Sequence, residues 1–175
     1  MTAQQSFQEL IQQRHTQQLT LNNMNKNNRQ FLQKALKILK DLHFKEENIM
    51  VTGSIALDIQ GVLSRPAHDV DFIIKTDDTT WGCLKLIEAI NLISEESSTI
   101  QKEYPIHSKK NFIVLKIDGI ILNIWRHSEN FDWSSIKDAE TGVYVATIDH
   151  IINAKKLYGR DKDYKDIYKI IRNLM

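Results

Sequence analysis

A chain of 175 residues, 42% hydrophobic and 26% charged, has the make-up of an ordinary globular protein about one domain long. Its formal net charge of +1 gives neither a global basic field pointing to nucleic acid nor an acidic excess pointing to disorder. One cysteine, Cys83, rules out an internal disulfide, and no Cys/His set suits structural zinc. Cys83 reads as a small apolar residue on a helix. Met1 to Thr20 is glutamine-rich and lacks the apolar core of a signal peptide. No apolar run approaches the roughly 20 residues that span a bilayer. A cytoplasmic protein with no membrane contact is expected.

In chain order, Gln5 to Leu19 carries Phe7, Leu10, Ile11 and Leu19 among polar residues, the pattern of a weakly amphipathic helix. The asparagines from Asn22 to Asn28 form a polar break, either a loop or a helix N-terminus. Arg29 to Leu42 has helical spacing of apolar residues with lysines opposite. Ile49 to Thr52 reads as a strand ended by Gly53-Ser54, with a helix over Ile55 to Val62. Asp69 to Lys75 reads as a second strand, followed by a helix over about Thr80 to Ile93. Phe112 to Ile117 and Ile120 to Trp125 flank Asp118-Gly119, a strong hairpin signal. Asn130 to Gly142 is expected to be an irregular connection. Thr147 or Asp149 caps a helix to Tyr158, Gly159 interrupts it, and Asp163 to Leu174 forms the last helix. The order predicts an α+β fold, a small mixed sheet with flanking helices. It reads as a single domain, with a helical extension over 1–45, the core sheet over 46–130 and C-terminal helices over 143–175. The polar N-terminal helices are suited to covering the sheet or to mediating a homodimer.

Asp69 and Asp71 stand two apart on a predicted strand, so both carboxylates point to one face. Two carboxylates side by side repel, and burial raises the cost, so the pair is poor core packing. It suits a hard divalent cation such as Mg²⁺, with Mn²⁺ as a substitute, that keeps water and phosphate oxygens as further ligands. Gly53 lets the backbone approach a ligand closely, and the helix start beyond it offers N–H groups to phosphate. Ser54 either adds a hydroxyl there or caps the helix. Asp-x-Asp alone is common, and Gly-Ser after a strand is usually a turn; the combination at this spacing is far more specific.

The run Val51-Thr52-Gly53-Ser54-Ile55-Ala56-Leu57, then His68-Asp69-Val70-Asp71-Phe72-Ile73-Ile74, resembles the signature of the polymerase-β-like nucleotidyltransferase superfamily. The resemblance implies that Gly53 and Ser54 hold nucleotide phosphates and that Asp69 and Asp71 bind metal. It implies transfer of a nucleoside monophosphate from a nucleoside triphosphate, with release of pyrophosphate. The tail, Ala154-Lys155-Lys156-Leu157-Tyr158-Gly159-Arg160 then Lys162-Asp163-Tyr164-Lys165-Asp166-Ile167, resembles nucleotidyltransferase-like proteins of abortive-infection and toxin–antitoxin systems. By that resemblance Lys155 or Lys156 contacts phosphate, Arg160 belongs to the nucleotide site, and Asp163 or Asp166 supports it. A small molecule, a tRNA or a protein would be the acceptor.

The match departs at one place. Active members often carry a third carboxylate on a later strand, and the corresponding residue here is Asn123, which carries no charge and is a poor base. Asp118, Glu129 or Asp163 could substitute, the subfamily could work without a third acid, or the domain could be a degenerate nucleotide-binding module. Elsewhere, His68 reads as a loop histidine and Arg65 as a solvated arginine. His107, Lys109 and Lys110 read as a polar loop, and Trp125, Trp133, Tyr144 and Tyr158 as packing residues, although each of these could also meet phosphate or base.

Overall fold

The computed structural model describes residues 24–90, 111–127, 133–138 and 141–175. Among them are five α-helices and a six-stranded mixed sheet, the α+β arrangement expected from the order of elements. The first helix, α1 (Lys26–Asp41), starts at Asn25, whose side chain accepts a hydrogen bond from the Asn27 N–H. The asparagine-rich break is thus a helix N-terminus. The predicted helix over Gln5 to Leu19 lies outside the described residues. Leu32, Ala35, Ile38 and Leu39 form the buried face of α1, which packs against strands β2 (Asp69–Ile74) and β4 (Ile120–Arg126).

Strand β1 (Ile49–Thr52) runs directly into the short helix α2 (Gly53–Ile59). Beyond β2, α3 (Asp78–Ile90) packs on strand β3 (Phe112–Ile117); the predicted continuation of α3 to Ile93 lies outside the described residues. Cys83 is on α3, but exposed. Asp118 and Gly119 both take positive φ, 51° and 76°, as a two-residue hairpin turn between β3 and β4 requires.

The connection expected to be irregular over Asn130 to Gly142 is not wholly so. It contains strand β5 (Ser135–Lys137), which pairs with a further strand, β6 (Tyr144–Ala146), and β6 in turn lies parallel to β1. Strands of three residues with long-range partners leave little period-2 signal. Thr147, rather than Asp149, caps α4 (Ile148–Tyr158), accepting from the His150 N–H. Gly159 ends α4 with φ 63°, and α5 (Asp161–Leu174) begins two residues before the expected start.

The sheet order is β3-β4-β2-β1-β6-β5. Strand β2 therefore lies between β1, antiparallel to it, and β4, parallel to it, with Asp71 in register with Thr52 on one side and Asn123 on the other. Val70, Phe72 and Ile74 enter the core with Leu122, Ile124, Ile113 and Leu115. Alternation sends Asp69, Asp71 and Asn123 to the opposite face.

A buried polar knot fixes the loop that leads into Asp69. Asn28 of α1 donates from Nδ2 to Asp58 Oδ2 and to the Arg65 carbonyl, both at 2.7 Å, and its Oδ1 accepts from the Ala67 N–H at 2.8 Å. Asn28 and Asp58 are 1% and 0% exposed, so each lost partner would be stranded away from water. Asn28→Ala is expected to lower stability by about 2–4 kcal/mol in urea unfolding. A loss below about 0.5 kcal/mol would mean that the knot does not hold this loop.

Candidate functional site

Glycine is required where β1 turns into α2. Gly53 has φ 67°, and a Cβ built on it would run into the Asp71 carboxylate. The tip of β1 and the side chain of β2 are therefore in close contact, as the sequence spacing implied but could not measure. Ser54 is half-buried and stands inside the first turn of α2, whose N-cap is Thr52. It does not cap the helix.

Asn123, 1% exposed, bridges the two acids. Its Nδ2 donates to Asp69 Oδ2 at 2.8 Å and to Asp71 Oδ1 at 3.0 Å. Its Oδ1 is buried and has no hydrogen-bond partner among the described residues. Such an orphaned acceptor ordinarily costs about 1–3 kcal/mol. Burial of the Asp71 carboxylate, though part of the residue still reaches solvent, and the neighbouring Asp69 charge push the Asp71 pKa up to about 7. The Asn123 hydrogen bond and the positive charges of Lys155 and Arg160 pull it partly back. Those two cations, more than eighty residues away in sequence, thus reach Asp71 electrostatically.

They do so from a buried ion network. Lys155 Nζ lies 2.8 Å from Asp166 Oδ2 and 3.4 Å from Asp163 Oδ1. Arg160 holds Asp163 with both Nε, at 2.6 Å, and Nη2, at 3.2 Å. Arg65 Nη2 reaches Asp166 Oδ2 at 3.1 Å, so this arginine is a network member instead of a purely solvated one. Burial alone would raise Asp163, but the hydrogen bond and charge of Arg160, with Lys155, hold it below the usual carboxylate range. Of the two lysines named from sequence, Lys155 joins this network and Lys156 is exposed.

A run of stacked rings ties the network to the sheet. Phe112 and Trp125 have centroids 4.2 Å apart, Trp125 and Tyr158 5.9 Å, and the Arg160 guanidinium lies 5.3 Å from the Tyr158 centroid. Trp133 belongs elsewhere, packed edge-on to Tyr144 and His127 under Lys75. His68 is exposed in its loop, and Asp118 is exposed in the hairpin turn. His107, Lys109, Lys110 and Glu129 lie outside the described residues.

Among the described residues no group of three or more His, Cys, Asp or Glu side chains is arranged to hold a metal ion. The oxygen donors available are the Asp69 and Asp71 carboxylates and, if its amide turns, Asn123 Oδ1. This hard, doubly negative set fits Mg²⁺ or Mn²⁺ with waters or phosphate completing the shell. Among the described residues no helix is long and apolar enough to cross a membrane. No family model, curated protein or solved structure matches the chain.

Two outcomes follow from this geometry. Gly53→Ala is expected to cost about 1–2 kcal/mol for the left-handed backbone alone, and more because Asp71 must move. Unfolding in urea checks this, and an unchanged midpoint would rule out the close contact. A carboxyl with a raised folded-state pKa binds its proton more tightly when folded. The contribution of Asp71 is thus complete below about pH 4, its unfolded range. It is lost as pH rises through about 7. Without divalent cations, wild-type stability is expected to fall over this interval relative to Asp71→Asn. Parallel pH profiles for the two proteins would contradict the raised value.

Proposed function

We propose that this chain is a Mg²⁺-dependent nucleotidyltransferase with a polymerase-β-like fold. It transfers a nucleoside monophosphate from a nucleoside triphosphate to an acceptor and releases pyrophosphate. The observation that carries the reading is the meeting of three separate segments: the Gly53 turn against Asp71, the Asp69/Asp71 pair on one strand face, and the Lys155 and Arg160 charges acting on Asp71. A solvated acidic pair would need none of the other two.

In this reading Asp69 and Asp71 hold Mg²⁺, or Mn²⁺ in its place, which when bound supplies charge neutralisation at the phosphates. Gly53 lets the turn close against the Asp71 carboxylate, and Ser54 just beyond it offers the triphosphate a backbone N–H and a hydroxyl. Lys155 and Arg160, already ordered by Asp163 and Asp166, add positive charge without having to be immobilised on binding. The acceptor attacks the α-phosphorus in line with the departing pyrophosphate, and rate enhancement comes mainly from positioning and charge. Small molecules, tRNA and protein all remain in the acceptor class.

Asn123 favours a second reading, a nucleotide-binding module that has lost turnover. It stands in register with Asp71 where a third carboxylate would serve as base, and base catalysis is typically worth about 10²–10⁴-fold. Calorimetry with each of the four ribonucleoside triphosphates, with and without Mg²⁺, tests the shared premise. Mg²⁺-dependent binding is expected in the wild type and lost in Asp69→Asn/Asp71→Asn. Pyrophosphate release in an acceptor screen then separates enzyme from module. Binding that survives the double substitution would refute both readings.

A further inference from the structure

The Asn123 carboxamide sits where its chemistry can answer the state of the acidic pair. Its Nδ2 donates to both carboxyl groups, at Asp69 Oδ2 and Asp71 Oδ1. When both acids are ionised and no cation lies between them, the reverse orientation would aim a carbonyl oxygen at two anions, so the charges favour the donor orientation. Once a cation lies between the carboxylates the preference inverts, because an NH₂ group facing a cation is repelled and a carbonyl oxygen is a ligand. The oxygen is turned into a buried setting with no hydrogen-bond donor among the described residues to hold it there. No hydrogen bond of Oδ1 has to break when the amide turns.

Charge sets a second limit. When both are ionised, Asp69 and Asp71 together carry two negative charges, matching one divalent ion, and Asn123 adds an oxygen without adding charge. A carboxylate at this position would be the third charge that helps to hold a pair of ions.

Resting on the metal-site reading above, we infer that Asn123 is an amide switch that sets cation occupancy. Its carboxamide turns Oδ1 toward the carboxylates when a divalent cation enters, and the nucleotide-free protein takes one such ion, not two. Asn123 is a positioning residue in the cation-free state and a neutral ligand in the loaded one.

The test uses the full chain without nucleotide. Bound Mn²⁺ is counted by loss of the free-ion paramagnetic resonance signal. The Asn123 side-chain amide is followed by nitrogen–proton NMR as Mg²⁺ is added, with Asn123→Leu locating its resonances. One ion per chain, lost in Asp69→Asn/Asp71→Asn, and a Mg²⁺-dependent shift of both Asn123 amide protons are expected. Asn123→Leu should weaken Mn²⁺ binding about tenfold or more, and Asn123→Asp should tighten it or admit a second ion. Two ions in the wild type, or amide protons unmoved at saturating Mg²⁺, would overturn the switch while leaving the metal site intact. No ion bound by the wild type would overturn the metal site itself and the switch with it. The wild-type measurements decide the matter even where a variant fails to fold.

Discussion

Strand geometry forces two carboxylates at i and i+2 onto one face, and Coulomb repulsion makes that face costly to enclose. In this protein the elements around Asp69 and Asp71 answer that cost. Strand β2 is central, so both of its neighbours contribute to the pair. On one side β1 is followed at once by Gly53, whose missing Cβ leaves space for the Asp71 carboxylate. On the other, β4 supplies a neutral donor to each acid. Lys155 and Arg160 complete the balance from the C-terminal helices. Asp71 remains raised to about 7 even so, which shows that the compensation is partial. A further positive charge at this position would be favourable, and this is the electrostatic condition for binding a cation.

Lys155 and Arg160 could not act from this depth unless they were themselves held. A buried ammonium or guanidinium without a counter-ion is expensive, and Asp163 and Asp166, spaced i and i+3 on α5, face inward together to meet that need. Arg65 extends the network to the loop before β2, and Asn28 of α1 fastens the same loop directly, at the Arg65 carbonyl and the Ala67 N–H. The loop that delivers Asp69 is thus braced from both ends of the sequence. The stack from Phe112 through Trp125 to Tyr158 and Arg160 braces the C-terminal helices against the sheet. A change at Asn28 or Tyr158 would reach the acidic pair through these supports.

The parts of this arrangement that were legible in the sequence are those with local signals. Helical periodicity marked α1, the Asp118-Gly119 pair marked the hairpin, and alternation placed Asp69, Asp71 and Asn123 on their faces. Strands β5 and β6 were not legible, because three residues carry too little pattern and the strand that ties them into the sheet, β1, lies far away in sequence. Asn28 and Asp58 escaped for a related reason: a single buried polar residue among apolar neighbours looks like any surface residue until its partners are known. The choice between Lys155 and Lys156 also required three dimensions, since the two differ only in which side of α4 they occupy. Arg65 read as solvated, and half of its side chain is; its guanidinium nonetheless spends a donor on Asp166.

Asparagine at position 123 reconciles stability with charge in a way that neither aspartate nor an apolar residue would. A third carboxylate in register with Asp71 would add repulsion to a site whose two acids already share too little positive charge. An apolar residue would relieve the repulsion but leave both carboxylates without their common donor. The amide gives each acid a hydrogen bond and stays neutral, leaving only one buried oxygen without a partner. The concession is chemical: the same neutrality that steadies the cation-free site removes a base. An enzyme built this way would need an acceptor that is already nucleophilic, or a proton acceptor brought by the acceptor molecule itself. A binding module would need neither. The electrostatics of the resting site are the same for both, so the acceptor is where the two part.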